Sequence, residues 1–160
     1  MARVKVDWRD DRSAGFKFNE WELKGVPLRL EIGPRDVAAD QAVLVRRDTR
    51  EKITVSSADL AATVEILLVE IQANLFVSAT QMLHDNTAEV DSFEELAARV
   101  STNAGWSLAH WCGDAACEAK IKAETKATTR CIPFDQDMEN GNCIVCGIPS
   151  QQRIIFARAY

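Results

Sequence analysis

Apolar and polar residues alternate along the first third of the chain. In the stretches "RVKVDW" (3–8) and "VPLRLEIG" (26–33), apolar residues recur at every second position and so lie on one face. The stretch "QAVLVRRD" (41–48) is a short apolar run that ends in charge. A period of two with many β-branched residues is typical of strands. The pattern therefore predicts strands and turns over residues 1–56, with "DDRSAGFKFN" (10–19) as a polar loop.

The period changes from Ser56 onward. Apolar residues now recur at helical spacing on one face: Leu60, Val64, Leu67, Ile71, Leu75 and Met82. Ser56 and Asp59, three residues apart, have the form of a capping box. The pattern predicts one long amphipathic helix that runs to about His84.

The last part of the chain mixes short elements. Ser92 and Glu95 form a second capping-box pattern, which predicts a short helix that ends before Gly105. Another short helical pattern spans 114–122. The runs "TTRCIPF" and "RIIFARAY" predict strands, with the acidic loop "DQDMENGN" between them.

Length and composition indicate a folded protein. A chain of 160 residues, 47% of them hydrophobic, has room for one ordinary domain, or for a small domain with an appendage. We find no apolar run that approaches the length of a membrane span, and the first residues lack the apolar stretch of a secretory signal. The sequence therefore predicts a cytosolic protein without a membrane partner.

Charge is distributed unevenly along the chain. Residues 1–56 carry 12 Lys and Arg against 10 Asp and Glu, whereas residues 57–160 carry 7 against 14, so the two parts have net charges of +2 and −7. An RNA-binding surface is therefore expected in the first third. An unevenly charged solvated surface explains the same counts equally well.

Four of the five cysteines form two close pairs. Cys112 and Cys117 form a C-x4-C pair, and Cys143 and Cys146 form a C-x2-C pair followed by Gly147. A reducing cytosol disfavours disulfides, and two short loops that each supply two thiolates suit tetrahedral zinc. Because four thiolates leave no coordination position open, such a zinc ion is structural rather than catalytic. Ordinary buried thiols are the alternative.

The remaining sulfur and imidazole groups have simpler interpretations. Cys131 lies between apolar neighbours and is predicted to be a buried core thiol. His110 can replace a cysteine as a ligand, but with four thiols available a surface or outer-sphere role is favoured. His84 lies at the end of the long helix, where a partly positive imidazole interacts favourably with the helix dipole, so a capping role is predicted.

No arrangement of catalytic residues is visible. The chain lacks G-x-S-x-G, H-E-x-x-H, P-loop and G-x-G-x-x-G motifs, so independent catalysis is not expected. A zinc hydrolase requires an open coordination position, which four cysteines close.

The motifs together carry a family resemblance. The segment "DWRDDRSAGFKFNEWELKGVPLRLEIGPRDVAADQAVLVRRDTREK", followed by "WCGDAACEAKIKAETKATTRCIPF", "CIVCG" and "FARAY", resembles the carboxy-terminal part of prolyl-tRNA synthetase of the archaeal and eukaryotic-like type. The resemblance implies an α/β (α+β) fold. Residues 1–85 would be the latter part of a class II anticodon-binding domain with a mixed sheet and a long helix, and residues 86–160 a small α+β zinc-binding domain.

The resemblance also implies roles for individual residues. The anticodon of proline tRNA presents two adjacent guanines, which Arg and carboxylate side chains can read. The implied guanine contacts are Glu22, Arg29, Arg35 and Asp36. Lys17 and Lys24 would lie near phosphates, and Phe16, Phe18 or Trp21 would stack on a base, with core packing as the alternative. For Glu22 and Arg29 the alternative is a cross-strand ion pair.

Two departures from the family are expected to matter. The catalytic domain, which uses ATP and magnesium in the full-length enzyme, has no counterpart here, and the anticodon-binding domain begins late. A missing strand would leave an apolar face partly bare, so reduced stability or self-association is expected. Tyr160 matches the chain end that reaches toward the catalytic domain in the family, whose full-length enzyme is expected to be a homodimer. The alternative is a free-standing, non-catalytic zinc protein that binds RNA or a synthetase.

Overall fold

The computed structural model describes residues 2–158, and the chain divides into two compact units, Met1–Ala79 and Thr80–Tyr160.

The first unit contains a three-stranded antiparallel sheet with helices. Its elements are α1 (Ala14–Leu23), β1 (Leu28–Glu31), α2 (Pro34–Ala38), β2 (Gln41–Arg46), β3 (Lys52–Ser56) and α3 (Leu60–Asp85), the last of which continues past the boundary between the units. The strand order is β1-β2-β3. The strands predicted in "VPLRLEIG" and "QAVLVRRD" are confirmed as β1 and β2.

The prediction for the first 23 residues was wrong in two places. "RVKVDW" forms no strand, and Val4 and Val6 are exposed. The predicted polar loop is instead the beginning of α1, where the Ser13 hydroxyl caps the helix by accepting from the backbone N–H of Phe16 at 3.3 Å. The extended segment is attached to the helix through polar groups, since the indole Nε1 of Trp21 donates to Asp7 at 2.8 Å.

The core of the first unit lies between the sheet and α3. Leu44, Val55 and Leu67 are buried together, with Leu60 and Val64 packed against them. The apolar face predicted for the long helix is therefore confirmed in its first half. Leu75 and Met82, predicted on the same face, are exposed, because the three-stranded sheet is too short to cover a helix of 26 residues.

A polar contact also fixes α3 to the end of β2. The guanidinium of Arg46 contacts Asp48 at 2.9 Å and Glu70 of α3 at 3.1 Å. Asp48 further accepts from the side-chain amide of Asn74 at 2.8 Å. Arg46 keeps the pKa of Asp48 well below its usual range, despite the opposing effect of burial. This buried carboxylate therefore joins the sheet to two turns of the helix.

The outer side of α3 is strongly apolar. Its exposed side chains include Ile66, Val69, Phe76, Val77 and Leu83. An 18-residue window of this helix has a mean hydropathy of 1.7, so α3 is long and apolar enough to cross a membrane. The expectation that no segment has these properties was wrong. Length and composition are weak evidence for a membrane span, and Leu67 and Ile71 of the same helix are buried in protein.

The second unit is built on a mixed four-stranded sheet. Its elements are β4 (Thr87–Glu89), α4 (Phe93–Ser101), β5 (Trp106–His110), α5 (Ala115–Thr125), β6 (Ala127–Cys131), β7 (Gly141–Asn142), β8 (Pro149–Ser150) and β9 (Arg153–Arg158). The strand order is β4-β5-β9-β6, with β4 parallel to β5 and the other pairs antiparallel. Strands β7 and β8 form a separate small hairpin.

The short elements predicted for this unit are confirmed. The Ser92 hydroxyl caps α4 by accepting from Glu95 N–H at 3.2 Å, and Asp114 caps α5. The core contains Val90, Leu96, Val100, Ala109, Ile121, Ala127, Ile154 and Phe156. The predicted fold class, α/β with a mixed sheet, a long helix and a small α+β module, is confirmed. Among the described residues the mixed sheet lies in the second unit, whereas the three strands of the first unit are all antiparallel.

The buried carboxylate of Asp48 should make stability depend on pH. Because its folded pKa is depressed, its contribution is complete above the pKa of an unfolded aspartate, about 3.9, and is lost as the pH falls further. We expect Asp48→Asn to lower the free energy of unfolding by about 2 kcal/mol at neutral pH. In urea titrations the difference from the parent should shrink below pH 4, and a constant difference would contradict the assignment.

The exposed apolar side of α3 should promote self-association. Val69 and Phe76 are 72% and 69% exposed. Replacing both with Ser should reduce concentration-dependent association in sedimentation velocity, with little change in the unfolding midpoint. Ile71→Ser is the contrasting variant, because its buried side chain should instead destabilise the fold. Unchanged association in the double variant would exclude this surface.

Candidate functional site

Four thiols converge in the second unit. The sulfur atoms of Cys112, Cys117, Cys143 and Cys146 all lie within 4.8 Å of one another. Cys112 Sγ is 3.7 Å from Cys117 Sγ and 3.6 Å from Cys146 Sγ. Four sulfurs at the usual Zn–S distance around a tetrahedral ion would be about 3.8 Å apart. The donor set and its spacing therefore fit a tetrahedral metal ion.

Each cysteine pair is positioned by a strand end and a turn. Cys112 follows β5, and Cys117 lies in the first part of α5, whose cap Asp114 accepts from Ala116 N–H at 2.7 Å. Cys143 follows β7, and a tight turn brings Cys146 back toward it. In that turn the N–H of Gly147 donates to Cys143 O at 2.9 Å, and Gly147 has a φ of +73°, which favours glycine.

The thiols differ in acidity. Burial and the neighbouring sulfurs raise the pKa of Cys117 strongly. Burial also opposes ionisation of Cys143, but backbone N–H groups of Cys146, Val145 and Cys112 bond to its sulfur and lower its pKa to about 7. A bound cation favours the thiolate form of its cysteine ligands.

This arrangement suits a structural ion. Four sulfurs fill a tetrahedral shell, so no position is left for water or substrate. All four cysteines predicted as ligands are brought together. Cys131 is exposed, so the prediction of a buried core thiol was wrong, because the strand that carries it turns this residue toward solvent at an irregularity in its pairing with β9.

His110 lies beside this centre but is not a member of the thiol cluster. The side chain is 4% exposed, so the part of the prediction that put it at the surface was wrong. It is the last residue of β5, and its ring lies against Gly141 of the hairpin β7–β8. Its Nδ1 is 3.4 Å from Ser150 Oγ, and its backbone carbonyl accepts from Ile144 N–H at 3.1 Å.

In the first unit, Glu22 and Arg29 are in direct contact. The guanidinium of Arg29 on β1 donates to Glu22 on α1 at 2.8 Å and to Glu31 at 2.9 Å. Arg50, in the turn between β2 and β3, also donates to Glu22. Arg50, followed by Arg29, lowers the pKa of Glu22 against the effect of burial. The ion pair considered as an alternative is thus present, between a helix and a strand rather than across two strands.

An aromatic ring completes this cluster. The guanidinium of Arg29 lies 3.9 Å from the ring centroid of Phe18, which favours a cation–π contact. We call Phe18, Glu22, Arg29, Glu31 and Arg50 the α1–β1 cluster. Glu31 and Arg50 were not predicted from the sequence. Period-two alternation places Glu31 on the same side of β1 as Arg29, which was a usable signal, but no local signal identifies Arg50.

The other predicted contact residues have different surroundings. Asp36 lies on α2, where its carboxylate accepts from Gly33 N–H at 2.8 Å, so it caps this short helix. Arg35 beside it is exposed. The ammonium of Lys24 contacts Glu20 at 2.6 Å and lies 4.5 Å from the Trp21 ring centroid.

Lys17 is also engaged within the unit, because its ammonium donates to the backbone carbonyl of Arg9. Phe16 is half exposed, whereas Phe18 and Trp21 are partly buried. Tyr160 lies outside the described residues.

Two family models match the chain. The model for the anticodon binding domain matches residues 2–67, and the model for the prolyl-tRNA synthetase C-terminal domain matches residues 93–160. The first match contains the α1–β1 cluster, and the second contains all four clustered cysteines.

Curated relatives match nearly the whole chain. It is 47% identical over 160 residues to the proline–tRNA ligase of Natranaerobius thermophilus, covering 99% of this chain and 33% of that protein. The chain is 50% identical to the proline–tRNA ligase of Symbiobacterium thermophilum, over 99% of this chain and 34% of that protein. It is also 50% identical to that of Cytophaga hutchinsonii, over 98% of this chain and 32% of that protein. The chain thus spans about a third of the length of these relatives.

Proposed function

Because the chain belongs to the prolyl-tRNA synthetase family, as its carboxy-terminal part, we propose that its first unit reads the anticodon of proline tRNA and that a zinc ion stabilises its second unit. The observation that carries the first proposal is that the α1–β1 cluster lies within the region matched by the anticodon-binding family. The thiol cluster carries the second.

The α1–β1 cluster has the chemistry needed to recognise guanine. An arginine can donate twice to O6 and N7 of guanine, and a carboxylate accepts from its N1 and N2 groups. In the free protein Arg29 and Glu22 pair at 2.8 Å, and their side chains are only 20% and 19% exposed, so the pair is kept at a defined separation. Binding would exchange this internal ion pair for contacts with the base edge, as unpaired anticodon bases present both edges.

Neighbouring groups extend this surface. Arg35 is exposed and carries a positive charge on α2, next to Asp36. We propose both as further guanine contacts, and Lys17 and Lys24 as groups near the phosphates. Asp36 already caps α2 through Gly33, so its role in base reading would use its second oxygen, which lies 3.3 Å from the side chain of Gln41.

Zinc is the metal that the donor set favours. Cys112, Cys117, Cys143 and Cys146 would hold it, and soft thiolates in a closed tetrahedral set select zinc over magnesium or calcium. The ion would crosslink the end of β5, the start of α5 and the β7–β8 hairpin. The role of these residues is to hold the fold together, since no position is left for a substrate.

The activity of the whole protein is proposed by extension. In the full-length enzyme, a catalytic domain would join proline to tRNA through prolyl-adenylate with ATP and magnesium. That domain is the proposed partner within the enzyme, which would be a cytoplasmic homodimer. The second candidate function, a free-standing non-catalytic protein that binds RNA or a synthetase, is less well supported because the relatives carry the ligase name.

Anticodon reading can be tested by comparing two tRNAs. The 160-residue chain should bind proline tRNA more tightly than the same tRNA with both anticodon guanines replaced. Arg29→Lys or Glu22→Gln should weaken binding to proline tRNA about tenfold and abolish the preference, because one bidentate base contact is worth about 1–3 kcal/mol. Filter binding or fluorescence anisotropy at fixed salt measures both affinities.

Glu20→Gln is the matched control for this experiment. Glu20 lies on the same helix and also pairs with cations, Arg9 and Lys24, so its replacement changes the charge of the surface in the same way. It should leave the preference for proline tRNA intact. Equal weakening toward both tRNAs by Glu22→Gln would indicate phosphate contacts or misfolding and would contradict base reading.

Zinc binding can be tested by elemental analysis. The purified chain should contain about one zinc per molecule, and chelation should lower its melting temperature. Cys143→Ser should lose the metal, whereas Cys131→Ser should retain it, because Cys131 is exposed and lies outside the cluster. Metal-free protein with the same melting temperature before and after chelation would refute the proposal.

A further inference from the structure

A pair of residues on two neighbouring strands of the four-stranded sheet lies close in the chain to the cysteine loops. His110 at the end of β5 pairs with Arg153 at the start of β9. Cys112 follows His110 by two residues, so this strand pair leads directly into the first cysteine loop. His110 and Arg153 are 4% and 8% exposed, which is unusual for ionisable side chains.

Glu139, in the loop that precedes the second cysteine pair, binds Arg153 and faces His110. Its carboxylate accepts two hydrogen bonds from Arg153, from Nε at 2.8 Å and from Nη2 at 3.0 Å. The Oε1 atom lies 3.7 Å from His110 Nε2. The backbone N–H of Glu139 also donates to Gln151 O at 2.9 Å. A bidentate arginine–carboxylate pair fixes both distance and orientation.

The hairpin that begins two residues later carries the second cysteine pair. Gly141 of β7 packs directly on the imidazole of His110, since a Cβ at this position would lie 2.2 Å from Nε2. Ser150, opposite Gly141 in the hairpin, has its hydroxyl 3.4 Å from His110 Nδ1. Cys143 follows β7 directly. The imidazole is thus enclosed between the sheet and both strands of the hairpin.

We infer that Glu139, held by Arg153 and facing His110, is a positioning residue for the metal centre. It fixes the hairpin that carries Cys143 and Cys146 against the strand that leads to Cys112, and so sets the separation of the two thiolate pairs. The loop 135–142 was identified in the sequence only as acidic. We call Glu139, Arg153 and His110 the hairpin latch; its role rests on the metal site proposed above.

Arg153 provides a control within the same contact. It also donates to Asp91 at 2.7 Å, and to the backbone carbonyl of Val90 at 3.0 Å. The side chain of Asp91 is 78% exposed and lies before α4, away from the cysteine loops in the chain. Glu139→Gln and Asp91→Asn therefore each remove one negative charge from the same guanidinium, but only the first alters the hairpin latch.

The test measures zinc release from the full 160-residue chain into excess chelator, followed by the colour of the zinc–chelator complex. Glu139→Gln should release zinc about tenfold faster than the parent, because groups around a metal site typically affect affinity by this factor or more. Asp91→Asn should stay within about twofold, as an exposed pair contributes little. Equal release by the two variants, whether fast or unchanged, would overturn the inference.

A second readout separates positioning from general stability. With cobalt(II) in place of zinc, the visible absorption of the parent should show tetrahedral thiolate coordination. Glu139→Gln should alter this spectrum, whereas Asp91→Asn should not, even where both lower the melting temperature. Spectra that match the parent in both variants would assign Glu139 a structural role only. A parent chain that binds neither metal would overturn the metal site itself.

A further variant tests the latch without a change of charge. Gly141→Ala should accelerate zinc release about tenfold, because its Cβ would collide with the His110 ring and move the hairpin. In a His110→Ala background the same substitution should add no further acceleration, since the ring is then absent. Unchanged release by Gly141→Ala in the parent background would exclude the imidazole as the contact that places the hairpin.

Discussion

Two cysteine pairs separated by about a fifth of the chain must meet within a few ångströms, and the second unit is arranged around this constraint. Strand β5 delivers Cys112, the capped start of α5 delivers Cys117, and a small hairpin delivers the other two thiols. Because the hairpin is not part of the four-stranded sheet, it needs attachments of its own. The salt bridge between Glu139 and Arg153 supplies one of them, and the metal ion proposed here would supply another.

The first unit follows a different principle. Its candidate reading residues are satisfied by each other in the free protein, as Arg29 is held by Glu22 and Glu31 against the ring of Phe18. Such a network keeps charged groups in place before RNA binds, so less conformational entropy would be lost on binding. Arg29 and Glu22 can therefore form an internal ion pair in the free protein and, as proposed, contact bases once RNA is bound.

Helix α3 connects the two units along the chain and carries two apolar faces. One face is buried against the sheet through Leu67 and Ile71, and Arg46 and Asp48 fix its orientation. The other remains exposed at Val69 and Phe76. A helix that is apolar nearly all round is usually covered on both sides.

Local patterns in the sequence determined much of this protein. The capping residue Ser92, the strands β1 and β2, and the four paired cysteines were identified correctly, because each depends on neighbours within a few residues. Other predictions failed where the outcome depended on distant groups. The segment 3–8 alternates like a strand, but Asp7 bonds to Trp21 of α1 and the segment has no strand partner among the described residues.

Only the tertiary structure decided which polar groups meet. His110 is buried because the hairpin β7–β8 covers it, and Cys131 is exposed because the pairing of β6 with β9 is irregular at that point. The contacts of Glu22 with Arg50, and of Glu139 with Arg153, join residues 28 and 14 positions apart. Spacing along the chain indicates the elements to which such charges belong, but their partners depend on how strands and helices pack, which is a property of the whole unit.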